Sequence, residues 1–181
     1  MAAMGGSAAR RYAKAIFAIG LDRGSFEIFG RELNELSELW QKSDDLRQTL
    51  ENPIFKLSQK RAVLQSLLPR VAPARQVQSL AILLLERGRI ALLPALARAY
   101  EEMCDEKLGR VRAVVKSATA LDLGSETEIR KAIERRTGKK VLMTTVVDPN
   151  LLGGVVAHVA GLVLDGSVAT RLSNLKNRLL N

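Results

Sequence analysis

The stretch GGVVAHVAGLVLDGSVATRL, residues 153–172, decides how the second half of the chain is interpreted. Its β-branched, apolar run predicts one strand over residues 155–164. Because nearly every residue of the run is apolar, we expect both faces of that strand to be covered. A turn follows at Asp165 and Gly166, and Ser167 is placed to cap a closing helix over residues 167–180.

The same stretch does not fit a phosphate-binding loop. Such a loop joins a strand to a helix and ends in a lysine and a hydroxyl residue. Gly153 and Gly154 precede a strand instead, and no lysine follows Gly166 at the start of the helix. An anion at that helix N-terminus stays open as an alternative. The residues interpreted as structural turn and cap positions are Gly154, Asp165, Gly166 and Ser167.

Outward from this stretch, two more strands and a helix complete a small domain. Residues 111–117 and 140–147 are β-branched and largely alternating, which predicts strands. Between them residues 125–136 predict a helix, with Ser125 and Glu128 as a capping box and Gly138 at its end. Residues 106–181 are therefore predicted to form an α/β domain of about three strands and two helices.

The first half of the chain has helical periodicity throughout. Its pattern predicts six helices, over residues 10–23, 25–42, 43–52, 57–68, 74–87 and 89–107. Ser25 and Ser43 are placed as caps, Pro69 closes the fourth helix, and Gly88 is placed as a left-handed residue after the fifth. Short loops favour an antiparallel bundle over residues 1–105. The predicted fold class is α+β, a six-helix bundle followed by the small α/β domain.

Few side chains are suited to catalysis or metal binding. The chain has one cysteine, Cys104, and one histidine, His158, so neither an internal disulfide nor a zinc site of ordinary ligand spacing can form. Cys104 is expected to be a buried thiol, and His158 a structural imidazole or one that alternation points to a surface. The adjacent acids Asp44-Asp45 and Glu101-Glu102 diverge by about 100° on a helix. We therefore expect no enzyme activity and no cofactor.

Charge leaves one rival function open. The net charge is +9, and residues 106–181 carry 13 basic and 7 acidic side chains, a net +6. A basic domain suits nucleic acid, an anionic surface or an acidic protein partner. Aromatic residues make up only 4% of the chain, so base-stacking platforms are scarce. A nucleic-acid-binding protein is the alternative that charge alone supports.

The first helix has a wider apolar surface than the edge of a bundle requires. Its apolar arc covers roughly 240° of the helix, where a stripe of about 100° is enough to face a core. We expect Ile19 to lie at the centre of the core stripe and Ala13 in the surplus sector, accessible to a partner. The segment from Leu80 to Leu85 is also apolar throughout. Either both helices are central in the bundle, or they form a groove for a partner helix.

Three segments resemble one family, in the order in which that family has them. They are ARRYAKAIF at residues 9–17, ERGRI at residues 86–90 followed by Leu93-Pro94, and residues 148–172 with Gly154, Asp165-Gly166-Ser167 and Arg171-Leu172. The chain is identified as resembling the delta subunit of F-type ATP synthases, a family that includes the mitochondrial oligomycin-sensitivity-conferring protein. One departure is Ala160-Gly161, where many relatives have glycine followed by a polar residue, which leaves the strand-to-strand turn there open.

The resemblance implies a stator role without chemistry in this chain. The N-terminal bundle would hold the N-terminal helix of an α subunit of the catalytic head, using its first and fifth helices. The C-terminal domain would hold the membrane-anchored b-type stalk, so that rotor torque is resisted and proton flow is coupled to ATP synthesis. The residues assigned by resemblance to the α-subunit contact are Ala9, Tyr12, Ala13, Ile16, Phe17, Leu80 and Leu84.

The resemblance also implies the surroundings of the chain. It implies one copy in a hetero-oligomeric complex, with neither a nucleic-acid partner nor direct insertion into the membrane. No leader is apparent before Ala9, so the favoured location is the cytoplasmic face of a bacterial plasma membrane. The matrix side of the mitochondrial inner membrane is the alternative.

Overall fold

A computed structural model of the protein describes residues 2–149, 151, 153–159 and 162–166. The chain divides between Cys104 and Asp105 into two compact units, residues 1–104 and 105–181. The first unit is helical, and the second contains a sheet and one described helix. The predicted mixture of a helical N-terminal part with an α/β C-terminal part is confirmed at this level.

Six α-helices and one 3₁₀ turn lie in the described residues up to 107. They are α1 (Ala2–Asp22), α2 (Phe26–Lys42), α3 (Asp44–Glu51), α4 (Leu57–Val71), α5 (Arg75–Glu86), the 3₁₀ turn (Ile90–Leu92) and α6 (Leu93–Lys107). The predicted sixth helix, over residues 89–107, is divided in the structure into the 3₁₀ turn and α6, so the prediction of six helices missed the 3₁₀ turn. The first helix also begins well before residue 10, since the small and polar residues ahead of it continue the helix.

One predicted helix end is wrong, and one predicted cap lacks its side-chain hydrogen bond. Ser25 is the N-cap residue of α2, as predicted, but its side chain makes no capping hydrogen bond, because its hydroxyl donates to the Arg23 carbonyl at 3.3 Å. Pro69 does not close α4, which continues to Val71. A proline near a helix C-terminus removes one N–H donor without ending the helix, and the N–H of Ala72 still donates to the Leu68 carbonyl. Ser43 does cap α3, since its hydroxyl accepts the Leu46 N–H.

Tyr100 lies at the centre of the helical core. Its ring is fully buried, and its hydroxyl donates to the Phe26 carbonyl at 3.0 Å. Burial raises the pKa of this hydroxyl above its usual value. Phe17 packs edge-to-face on Tyr100, and a Cβ at Gly20 would lie 2.9 Å from the Tyr100 hydroxyl. Glycine is therefore required at position 20, where α1 meets the start of α2. Cys104 is buried here too.

The second unit is built on a four-stranded sheet. Its elements are β1 (Arg110–Ser117), α7 (Leu123–Thr137), β2 (Lys140–Val147), β3 (Val155–Val159) and β4 (Leu162–Asp165). The strand order is β2-β1-β3-β4, with β1 and β2 parallel and the other pairs antiparallel. The parallel pair needs a crossover, which α7 provides.

The single strand predicted over residues 155–164 is wrong, because the structure divides it into β3 and β4. Val159 pairs with Leu162, so only two residues connect the strands, a length typical of a tight hairpin. The expected cover on both faces is also wrong, since Leu162 is 63% and Val163 56% exposed on the edge strand. A continuous apolar run does not distinguish one long strand from a hairpin of two short strands. Ala160-Gly161, at the connection, lies outside the described residues.

The cap of α7 also differs from the prediction. Asp122 is the N-cap, and its carboxylate accepts the Ser125 N–H at 3.2 Å. Hydrogen bonds from Ser125 hold the pKa of Asp122 below its usual value. Gly138 ends the helix with a φ of 66°, as predicted. The predicted closing helix over residues 167–180 and its cap Ser167 lie outside the described residues.

Candidate partner-binding groove

Helix α1 has two apolar faces with different surroundings. One face is buried in the core of the helical unit and consists of Ala9, Ala13, Ile16 and Gly20. The other consists of Tyr12, Ala15 and Ile19, and Ile19 is 43% exposed. The expectation that Ile19 centres the core stripe and that Ala13 is accessible is therefore wrong. A helical wheel gives the width of an apolar arc but not which part of it meets the core.

Helix α5 is divided in the same way. Its core face consists of Val77, Leu80, Ala81, Leu84 and Leu85. Its second face carries Gln76, Ser79 and Leu83, and Leu83 is 38% exposed. The interpretation that both helices are central therefore holds for one side of each helix, and among the described residues the other side is left uncovered.

The two second faces form one groove with a volume of about 510 Å³. Its lining residues are Tyr12, Ala15, Ile16 and Ile19 from α1, and Arg75, Gln76, Ser79, Leu80 and Leu83 from α5. Each helix contributes residues at positions i, i+3, i+4 and i+7, which is two turns of one helix face. The small side chains of Ala15 and Ser79 leave space at its centre for the backbone of another segment to approach closely.

The groove brings together only some of the residues assigned by resemblance. Tyr12, Ile16 and Leu80 line it. The side chains of Ala9, Ala13 and Leu84 are buried in the core, and Phe17 packs on Phe26 and Tyr100. These four residues do not line the groove. They support its floor and position the two helices that form it.

Six of the lining residues were not among those assigned from the sequence. They are Ala15, Ile19, Arg75, Gln76, Ser79 and Leu83. The signal for Ile19 was present, because it lies seven residues after Tyr12 and so on the same helix face. The signal for Leu83 was its place in the apolar run 80–85, which is longer than a single core stripe explains.

Polar groups lie at the ends of the groove. The Tyr12 hydroxyl accepts a hydrogen bond from the Arg89 Nη1 at 3.1 Å. Arg75 is exposed in the first turn of α5 and lines the groove. An apolar floor with cationic ends suits an amphipathic segment better than a small polar metabolite.

The groups with shifted pKa values do not line the groove, and each shift has a local structural cause. Burial raises the pKa of Glu32 on α2, whose carboxylate accepts the Ala74 N–H at 3.0 Å and so satisfies the start of α5. A hydrogen bond from Lys42 lowers the pKa of Glu38. In the part of the chain that the structure describes, no group of three or more His, Cys, Asp or Glu side chains is arranged to hold a metal ion. Across the same residues no helix is long and apolar enough to cross a membrane.

Two further grooves are lined by described residues. One lies in the second unit between α7 and the β3–β4 hairpin, with Ile129, Ala132, Val155 and Leu164 among its lining residues. The other lies in the first unit beside the α3–α4 connection, next to Phe55 and Leu57. Neither combines two complete helix faces, which distinguishes the α1–α5 groove.

Comparison with known proteins gives the family. The family model described as ATP synthase delta (OSCP) subunit matches residues 8–179. A protein of Geobacter sp. (strain M21) named ATP synthase subunit delta is 39% identical over 171 residues, which cover 94% of this chain and 95% of that protein. One of Anaeromyxobacter dehalogenans (strain 2CP-1 / ATCC BAA-258) with the same name is 40% identical over 174 residues, covering 96% and 97%.

A solved structure supports the same assignment. A chain in the cryo-EM structure of the Toxoplasma gondii mitochondrial ATP synthase hexamer matches with a TM-score of 0.74 and 26% identity. The match covers 96% of this chain and 97% of that chain. Fold and sequence therefore agree over almost the whole length.

These findings define the class first and then the subunit. The chain belongs to the ATP synthase delta (OSCP) family, a class of non-catalytic structural subunits. It is a stator subunit of an F-type ATP synthase, a membrane-associated complex. The alternative of a nucleic-acid-binding protein has no support from the family or from the relatives.

Proposed function

We propose that this chain joins the catalytic head of the synthase to its peripheral stalk through its two units. Residues 1–105 hold the N-terminal helix of one α subunit in the α1–α5 groove. Residues 106–181 hold the end of the b-type stalk. One copy serves each complex, at the cytoplasmic face of a bacterial plasma membrane. Held at both ends, the chain keeps the head from turning with the rotor, and proton flow is coupled to ATP synthesis.

The α1–α5 groove is the observation that carries this proposal. Two helix faces at i, i+3, i+4 and i+7 spacing create a channel along two turns, and a third helix fits such a channel by ridges-into-grooves packing. Ile19 and Leu83 give it exposed apolar surface that a partner helix would remove from water. Exposed apolar surface of this kind is typical of protein-binding sites.

Substitutions on the exposed side of the groove test the proposal. Leu83→Asp places a carboxylate where an apolar partner face would desolvate it, so binding is expected to weaken at least 100-fold, at about 1.4 kcal/mol per tenfold. The measurement is calorimetric titration of the full chain with a peptide of the N-terminal 20 or so residues of the α subunit from the same organism. Because Leu83 is already 38% exposed, the melting temperature should change little.

Ile54→Asp is the matched control, since it makes the same change at a side chain that is 82% exposed and outside the groove. It should leave peptide affinity within about twofold. Equal affinities for wild type and Leu83→Asp would contradict the groove assignment. Loss of binding only in Ile54→Asp would place the α-subunit site at the α3–α4 connection instead.

A further inference from the structure

We propose that the α1–α5 groove selects an acidic amphipathic helix, one with a carboxylate at each end of its apolar stripe. The inference rests on the proposed function, since it takes the groove as the site of a partner helix. It adds the charge pattern by which that partner is recognised. Arg75 and Arg89 are the two residues that would recognise this charge pattern.

The two arginines lie at opposite ends of the groove. Arg75 begins α5, and Arg89 follows its end. The twelve residues of α5 span about 18 Å at 1.5 Å per residue. The Arg89 guanidinium contacts the hydroxyl of Tyr12, the first residue of the α1 stripe, so it is fixed beside the groove. The apolar floor lies between these two positive groups.

Neither guanidinium is neutralised by a described residue. Among the residues that the structure describes, no carboxylate lies within ion-pair distance of Arg75 or Arg89. The nearest acid in the sequence, Glu86, is bound by Arg61 at 3.0 Å. Asp22, at the end of α1, pairs with neither arginine. Two positive charges beside an apolar channel are therefore available to a partner.

The start of α5 already has one carboxylate beside it, because Glu32 of α2 accepts the Ala74 N–H at 3.0 Å. The N-terminus of a helix carries the positive end of the helix dipole, so a cation in the first turn is disfavoured and an anion is favoured. The first turn of α5 contains Arg75 and no acidic residue. Glu32 offsets the dipole at this helix end but makes no described ion pair with Arg75, so a carboxylate from a partner helix would interact mainly with the Arg75 guanidinium.

The surrounding sequence extends the positive field. Residues 52–100 contain eight Lys and Arg residues and one acidic residue, Glu86. This segment includes α4, α5 and the first half of α6, and its net charge of +7 (eight basic residues less one acidic) adds to the positive field of the unit that contains the groove. Complementary charge speeds association and disfavours basic helices of similar hydrophobicity. The expected ligand is a helix with Asp or Glu residues about three turns, or roughly 11 residues, apart.

A double-mutant cycle tests the pairing. The probes are the α-subunit peptide and versions in which the Asp or Glu at each flank of its apolar stripe is changed to Asn or Gln. Arg75→Gln in the full chain should weaken binding of the native peptide about 3- to 10-fold, and Arg89→Gln should do so at the other end. Each effect should vanish with the peptide neutralised at the corresponding flank, and should shrink as salt rises from 50 to about 500 mM.

Arg98→Gln on α6 is the matched control, because it removes an exposed positive charge outside the groove lining. If Arg75→Gln changes peptide affinity no more than Arg98→Gln does, the charge selection is overturned. It is also overturned if the α-subunit peptide has no Asp or Glu at either flank of its apolar stripe. The Leu83→Asp variant separates the two proposals. If it abolishes binding while the arginine variants are silent, only the charge selection fails. If it too is silent, the proposed function fails.

Discussion

At the residue scale, adjacent positions on one helix have different tasks. Tyr12 lines the groove, whereas Ala13, about 100° further around α1, is fully buried in the core. Gly20 has a third task, since it allows the start of α2 to approach α1. A substitution in this helix therefore tests binding or folding depending on which side of the helix it lies.

Ala13→Asp is expected to unfold the helical unit rather than to affect binding alone. It buries a carboxylate in an apolar core without a partner, at a cost of several kcal/mol. The free energy of unfolding, measured by urea denaturation followed by circular dichroism, should fall by about 3 kcal/mol or more. Ala18→Asp, at an exposed position of the same helix, is the control and should stay within about 1 kcal/mol of wild type. A stable Ala13→Asp variant would contradict the buried position of that residue.

At the element scale, periodicity predicted more than boundaries. The helical segments of the first unit follow from 3.6-residue spacing, and β1 and β2 from β-branched alternation. The hairpin β3–β4 could not be predicted, because its register depends on pairing with β1 and not on the apolar run itself. The cap of α7 was assigned to the wrong residue because Asp122 and Ser125 are both good N-caps. With Asp122 as the cap, the helix begins about one turn earlier, at the exposed Leu123.

The groove was predicted as one of two interpretations, and of the seven residues assigned to it by resemblance only Tyr12, Ile16 and Leu80 line it. The surplus apolar surface of the first and fifth helices is visible in the sequence. Which side of each helix meets the core depends on the helices packed against it, α2 for both and α4 for α5, and no local sequence pattern contains their positions. For this reason Ile19 was predicted to be buried and Ala13 accessible, which is the reverse of their positions in the structure. The resemblance did not correct this error.

Helix α2 supports the start of α5 through Glu32, which gives a pH dependence with a defined sign. Burial raises the pKa of Glu32 above 4.5 in the folded protein. The stability that this shift contributes is fully present below pH 4.5 and is lost as pH rises through the raised value. Wild type should therefore be more stable relative to Glu32→Gln at about pH 4 than at about pH 7.

Urea denaturation at several pH values measures this difference. Glu102→Gln, which removes an exposed carboxylate from the same unit, provides the reference for the loss of one acidic group. A constant difference between wild type and Glu32→Gln across the range would mean that the Glu32 pKa is the same in the folded and unfolded chains.

At the scale of the whole molecule, charge divides unevenly between the two parts of the chain. Residues 1–105 carry 15 basic and 12 acidic side chains, a net +3, against the net +6 of residues 106–181. The second part is thus the more strongly charged for its length. For a protein proposed to hold two partners, this asymmetry predicts different salt dependences for the two contacts.

Association with the stalk should slow as salt rises. A domain with a net charge of +6 attracts an acidic or mixed-charge stalk helix over distances that salt screens, about 8–10 Å near physiological ionic strength. Stopped-flow association of the full chain with the soluble part of the b-type stalk should show a rate that falls by about tenfold or more between 20 and 500 mM salt. An association rate that does not depend on salt would mean that these charges interact with solvent and do not attract the stalk.

Coupling in reconstituted membranes tests the stator role most directly. Membrane vesicles whose synthase lacks this chain are supplied with wild type, Leu83→Asp or Ile54→Asp protein, and ATP-driven proton pumping is compared with ATP hydrolysis. Wild type and Ile54→Asp should restore pumping, whereas Leu83→Asp should leave hydrolysis without pumping, because the head is no longer held. Full restoration of pumping by Leu83→Asp would contradict the claim that the α1–α5 groove holds the catalytic head.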